Sequence, residues 1–147
     1  MTEKEIRKTL SLCMPKEVSE FRAPNQIEWK TLESKFSCKF PNEMYHFINL
    51  MKIFSFPGDI LNVGAGPNND NDNDTIDYVY DFEIKENPTW KQNMVPFYSI
   101  GNGDYFCISA SEDCLSAVYY YYLDRKAFVK HCESFEEWIV DLPIFLE

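Results

Sequence analysis

Histidine is scarce in this sequence: His46 and His131 are the only two among 147 residues. A serine or cysteine nucleophile needs a base within hydrogen-bond reach, and neither histidine stands in a recognisable motif. His46 falls in a helical stretch and His131 beside Cys132 near a strand end, so the sequence offers no catalytic residues and predicts no enzyme. Glycine is also sparse, with five in all. GNGDYF, from Gly101, has Phe106 where a dinucleotide-binding fingerprint needs its third glycine, and strand formers rather than a helix follow. Paired CxxC spacing is missing among Cys13, Cys38, Cys107, Cys114 and Cys132. A zinc set of Cys107, Cys114, His131 and Cys132 therefore has no ligand pairing, and strand neighbours such as His131 and Cys132 point to opposite faces. Neither metal nor cofactor is expected.

An odd number of scattered cysteines reads as reduced thiols. The N-terminal MTEKEIRKTL mixes charges without an apolar run, so no signal peptide is expected. No segment reaches the roughly 20 apolar residues a membrane span requires. These features together predict a cytoplasmic location and no membrane partner. Basic charge is short as well: 14 Lys and Arg stand against 24 Asp and Glu, a formal net charge of −10. That balance repels nucleic acid and anionic lipid and favours a basic partner, or it serves solubility alone.

What is present is apolar and aromatic, at 45% and 16% of the chain, which predicts one folded domain over 1–147. The first half has helical period. Thr2 and Glu5 have capping-box spacing ahead of Ile6 and Leu10, and Pro15 stops that segment. Asn25 and Glu28 repeat the signal before Trp29, Leu32 and Phe36. FPNEMYHFINLM places Pro41 in a first helical turn, with Met44, Phe47, Ile48 and Met51 as its apolar stripe. The second half turns to strands: VPFYSI, YFCIS, AVYYYYL and AFV, joined by GNGD, SEDCLS and Asp124-Arg125-Lys126. Asn102-Gly103 predicts a tight turn, since both residues tolerate positive φ. The final SFEEWIVDLPIFLE has Ser134 and Glu137 at capping-box spacing and Phe135, Trp138, Ile139 and Leu142 on one face, with Pro143 ending or kinking it. The expected fold is α+β: N-terminal helices, a central antiparallel β-meander and a C-terminal helix packed on the sheet.

Two stretches are candidate contact sites. DNDNDTIDYVYDF alternates Asp70, Asp72 and Asp74 with Asn as a calcium loop does. However, Thr75 and Asp81 occupy the places where such a loop needs Gly and a bidentate Glu. The competing reading makes Asp74 the N-cap of a helix carrying Ile76, Val79, Tyr80, Glu83 and Ile84, with Asp77 in its first turn. The run Tyr119 to Tyr122 alternates faces in a strand, leaving Tyr120 and Tyr122 as an outward pair suited to protein contact or to packing under another element. A nucleic-acid stacking platform would need a basic groove, which is missing.

Taken in order, Trp29 and Glu33 in IEWKTLESKF, then Phe40, Pro41, Tyr45 and Phe47 in FPNEMYHFI, resemble the SUKH superfamily of bacterial immunity proteins and fungal cell-wall synthesis regulators. Pro96, Ile100, Gly101 and Asp104 in VPFYSIGNGDYFCIS, and Phe135 and Trp138 in SFEEWI, continue the match. It runs from about Ile27 to Leu142. The sequence departs after the third helix, where Lys52-Ile53-Phe54-Ser55 stands in place of an Asn-Gly-Gly turn. The resemblance implies a non-catalytic cytoplasmic protein that binds and neutralises a cognate toxin domain, often a nuclease and hence basic. Its alternative is a regulatory scaffold for host proteins. The resemblance makes the matched residues scaffold and leaves the partner surface to physics. Asp70, Asp72, Asp74, Asp77 and Asp81 form the densest acidic set and so the expected rim, together with Tyr120 and Tyr122.

Overall fold

The computed structural model describes residues 1–17, 21–64 and 74–146. Helix α1 (Glu3–Cys13) begins where Thr2 Oγ1 accepts the Glu5 N–H at 3.2 Å, and it buries Ile6 and Leu10. Helix α2 (Gln26–Phe36) has the full reciprocal cap. Asn25 Oδ1 accepts the Glu28 N–H at 2.8 Å, and Glu28 accepts the Asn25 N–H at 3.0 Å. Helix α3 (Asn42–Leu50) buries Met44, Phe47, Ile48 and Leu50. Pro41 is its N-cap rather than part of its first turn, with ψ of 142°, since the helix starts one residue later. The departure segment Lys52 to Ser55 pairs with the chain leaving α1. Lys16 bridges Phe54, and Ser55 N–H donates to the Pro15 carbonyl at 3.1 Å.

The sheet is an antiparallel meander of five strands, β1 (Asp59–Ile60), β2 (Met94–Ser99), β3 (Tyr105–Ser109), β4 (Val118–Tyr122) and β5 (Ala127–Cys132), in that spatial order. Strand β1 has no signature in the sequence, because two residues are too short for a period. Helix α4 (Ile76–Glu86) lies between β1 and β2 in the chain. At the β2–β3 turn the positive φ values fall on Gly101 and Gly103 and not on Asn102. Asn102 Oδ1 instead accepts the Asp104 N–H at 3.0 Å, a local Asx turn that makes the connection longer than a two-residue hairpin. Helix α5 (Phe135–Phe145) starts at Ser134, whose side chain accepts the Glu137 N–H. It runs through Pro143 without ending there. So near the C-terminus a proline removes a single N–H, and Leu146 N–H still closes on the Leu142 carbonyl at 2.8 Å.

Each face of the sheet carries a buried cluster. The principal core joins α1, α3 and α5 to Val95, Phe97, Phe106, Ile108 and Val118. Trp138 is at its centre, 5.0 Å from Phe97 and 5.2 Å from Phe47 between ring centroids. The opposite face carries a smaller cluster of Trp90, Met94, Cys107 and Tyr121. This accounts for the Tyr run: Tyr121 is buried in the small cluster, while Tyr120 points to the principal core and packs on Phe106 at 4.9 Å.

Burial raises several of these acids. Desolvation pushes Cys38 and Cys132 up to about 11 and Tyr98 up to about 12. Tyr45, Tyr105 and Tyr120 are raised further, by burial first and then by their Glu33, Glu83 and Asp104 partners. Each group is held neutral in the fold more firmly than in the unfolded chain, where thiols titrate near ~8.5 and phenols near ~10. Their stabilisation is therefore complete below about pH 8.5 and is lost as pH rises through the folded values. Urea midpoints should hold between pH 7 and 8 and fall steadily from pH 9 upward, with tyrosinate absorbance rising in step with loss of circular dichroism. Tyrosinate forming fully while the fold persists would contradict this.

Candidate functional site

Helix α4 puts the described part of the acidic stretch on a surface. Its N-cap is Thr75, not Asp74: the Thr75 side chain accepts the Tyr78 N–H at 3.3 Å, and Thr75 is extended at φ −109° and ψ 152°. The shift by one residue follows from Asn62. Its N–H donates to the Asp74 carbonyl at 2.9 Å, and its own carbonyl accepts the Ile76 N–H at 2.9 Å, fixing both as the chain enters the helix. The Asn62 side chain is buried, and both of its polar atoms are bonded. Nδ2 donates to the Arg22 carbonyl at 2.9 Å, and Oδ1 accepts the Val63 N–H at 2.8 Å.

Arg22 in turn forms a two-pronged ion pair with Glu28 of α2, Nη1 to Oε1 at 2.7 Å. The hydrogen-bonded guanidinium holds the Glu28 carboxyl below its ordinary range, against the desolvation that would raise it. A Cβ at Gly64 would collide with that carboxylate, which explains glycine there. These contacts seat α4 beside α2.

The inner side of α4 is anchored by Ile76, Val79 and a buried Glu83. Glu83 accepts from Tyr105 Oη at 3.2 Å and from Asn87 Nδ2 at 3.0 Å, and Asn87 Nδ2 also donates to Tyr121 Oη at 2.8 Å. The outer side shows two rows at i, i+4 spacing: Asp77 with Asp81, and Tyr78 with Phe82. Tyr78 and Phe82 are 46% and 51% exposed, too open to serve as core. Between α2 and α4 runs a groove of about 460 Å³ with Ile27, Leu32 and Val63 on its walls and Asp77 and Asp81 on its rim. Asp77 Oδ1 accepts from Thr75 Oγ1 at 2.9 Å and from the Tyr78 N–H at 3.0 Å. Lys35 of α2 reaches across the groove to Asp81, Nζ to Oδ1 at 2.8 Å.

Of the residues expected from sequence, Asp74, Asp77 and Asp81 are thus gathered on or beside the start and outer row of α4. Asp70 and Asp72 lie outside the described residues. Tyr120 and Tyr122 do not line the groove. They are half-buried and lie against each other with their rings tilted at 48° and 4.5 Å between centroids, with Tyr120 Oη donating to Asp104 at 2.8 Å and the Arg125 guanidinium 4.6 Å from the Tyr122 ring. Tyr78 and Phe82 are not among the residues expected from the sequence, although their i, i+4 spacing opposite Ile76, Val79 and Glu83 marks an outward face. Nothing local in the sequence signals Asn62.

The resemblance residues are structural supports. Trp29 sits edge-on to Tyr45 at 4.3 Å, Tyr45 Oη donates to Glu33, and Asp104 accepts the Leu123 N–H at 2.9 Å. Among the described residues, no three of His, Cys, Asp or Glu are gathered to hold a metal ion. Nor is any helix among them long and apolar enough to cross a membrane. A protein-family model described as SUKH_5: SMI1-KNR4 cell-wall matches residues 4–146. No curated protein matches the chain.

Proposed function

The chain belongs to the SUKH (SMI1-KNR4) family, and we propose that it is a cytoplasmic immunity protein that neutralises a cognate toxin domain by forming a one-to-one complex. It acts without catalysis or cofactor. The toxin domain is basic, as a nuclease that must attract a polyanion is. The observation that carries this reading is the outer face of α4, where Asp77, Tyr78, Asp81 and Phe82 stand exposed on a helix whose other side is firmly packed. A chain of formal charge −10 steers such a basic partner toward itself and repels nucleic acid.

The test is to express the C-terminal domain of the protein encoded beside this one, with and without this chain. Survival is scored, and a complex is sought by size exclusion. Rescue with a stoichiometric complex supports the proposal. Toxicity with neither rescue nor complex removes it and favours the regulatory-scaffold alternative.

Charge reversal gives a kinetic prediction. Converting Asp70, Asp72 and Asp74 to Lys changes the net charge by six units, and association at low salt should slow by about tenfold or more. The dependence of that rate on salt should flatten, because less attraction remains to be screened. Stopped-flow rates unchanged at every salt concentration would remove the acidic stretch from the encounter.

A further inference from the structure

We infer that the groove between α2 and α4 seats an arginine or lysine of the partner, its aliphatic stem on the apolar wall and its cation at Asp77, with Tyr78 and Phe82 as the flanking anchors. The inference rests on the binding-protein reading above and adds the chemistry of the contact. Ile27 on the α2 side is 75% exposed, and the buried side chains of Leu32 and Val63 form an apolar wall below it. Tyr78 is a ridge between this groove and a second hollow of about 240 Å³, which Leu61, Val79 and Phe82 line. An apolar wall, an aromatic ridge and a carboxylate rim together fit a side chain with a long alkyl stem and a charged tip.

The chain holds its own example of that contact. Lys35 Nζ lies 2.8 Å from Asp81 Oδ1 and 5.7 Å from the Tyr80 ring centroid, a cation held between a carboxylate and an aromatic. Lys35 answers Asp81, whereas Asp77 has no cationic partner among the described residues. The rim therefore keeps one unanswered carboxylate beside the two exposed rings. The occupant is a basic protein segment carrying an apolar anchor, not nucleic acid, which the same rim repels.

The probe is an acetylated, amidated peptide of alternating arginine and leucine, titrated into the full chain and followed by amide chemical shifts. A peptide with glutamate in place of arginine is the control. Saturable shifts centred on Ile27, Val63, Tyr78 and Phe82 are expected, absent with the glutamate peptide. Combining Tyr78→Ala with Asp77→Asn should weaken binding about tenfold. Both side chains are exposed, and Asn keeps a capping oxygen, so the variant retains the wild-type circular dichroism.

Shifts centred elsewhere, no saturable response, or equal affinity in the variant would overturn the inference. So would a wild-type dimer in sedimentation that the double variant dissociates, since a second copy would then be the occupant. The neighbouring toxin domain separates this inference from the function it rests on. A complex indifferent to the double variant rejects the groove and leaves immunity standing. A groove that takes the peptide, in a protein that rescues no toxin, rejects immunity and leaves the groove standing.

Discussion

Trp138→Ala is expected to lower the unfolding free energy by about 3–5 kcal/mol, the range for emptying a packed core of a large aromatic. Trp138 is 1% exposed. Around it stand Phe47, Phe97, Phe106 and Phe135, all between 5.0 and 5.5 Å from it by ring centroid. Those rings come from α3, β2, β3 and α5, so the indole joins the helical layer to the sheet. The neighbours are fully buried and held on separate elements, which limits their collapse into the space left. For a chain of this size, each kcal/mol shifts the melting temperature by roughly 2–4 °C. The variant should therefore melt roughly 6–20 °C lower. Val140→Ala on the same helix, at a side chain 53% exposed, should change stability by no more than about 0.5 kcal/mol. Urea denaturation of both variants checks the pair. A Trp138→Ala loss below about 1 kcal/mol would mean that α5 is not the element that closes the core.

Asn62→Leu is expected to cost about 2–4 kcal/mol and to loosen α4 selectively. Leucine has nearly the right volume but no polar atoms. It leaves the buried Val63 N–H without its partner, at about 1–3 kcal/mol, and the part-buried Arg22 carbonyl without its own, at about 1 kcal/mol. The backbone bridge from Asn62 to Asp74 and Ile76 then depends on a position no longer tied to the 22–28 segment. Amide exchange should therefore accelerate first at α4, while α1, α3 and α5 keep their protection. Binding of the proposed basic peptide should weaken with it, because the groove loses one wall. Equal loss of protection across the whole chain would show that Asn62 is simply part of the global core. No loss anywhere would show that the bridge is dispensable.

How much of this was legible beforehand varied with the kind of interaction. The capping residues Thr2, Asn25 and Ser134 act as their spacing predicts, since a cap is a contact between residues three apart. The strands of VPFYSI, YFCIS and AVYYYYL form a meander because short links permit little else. The misplacements have one kind of cause. The cap at Thr75 instead of Asp74 follows from a bond to Asn62, twelve positions earlier than Asp74. Strand β1 exists only because Ser99 and Tyr98 are there to pair with it. Strand β5 runs on past AFV through Cys132 because β4 supplies partners as far as Val118. Glu83 reads as an ordinary helix-surface carboxylate until Tyr105 and Asn87 close over it.

By itself the sequence determined the charge of −10, the α+β order of elements, the capped helices and the two-sided aromatic strand that becomes β4. All of these depend on composition or on residues a few positions apart. Tertiary structure decided which tyrosine of that strand is buried, where α4 begins, and that its outer row lies beside α2 to form a groove. Those outcomes rest on Asn62 reaching Arg22, Lys35 reaching Asp81 and Asn87 reaching Tyr121. Each joins residues more than thirty positions apart in the chain, and no local period records such a contact.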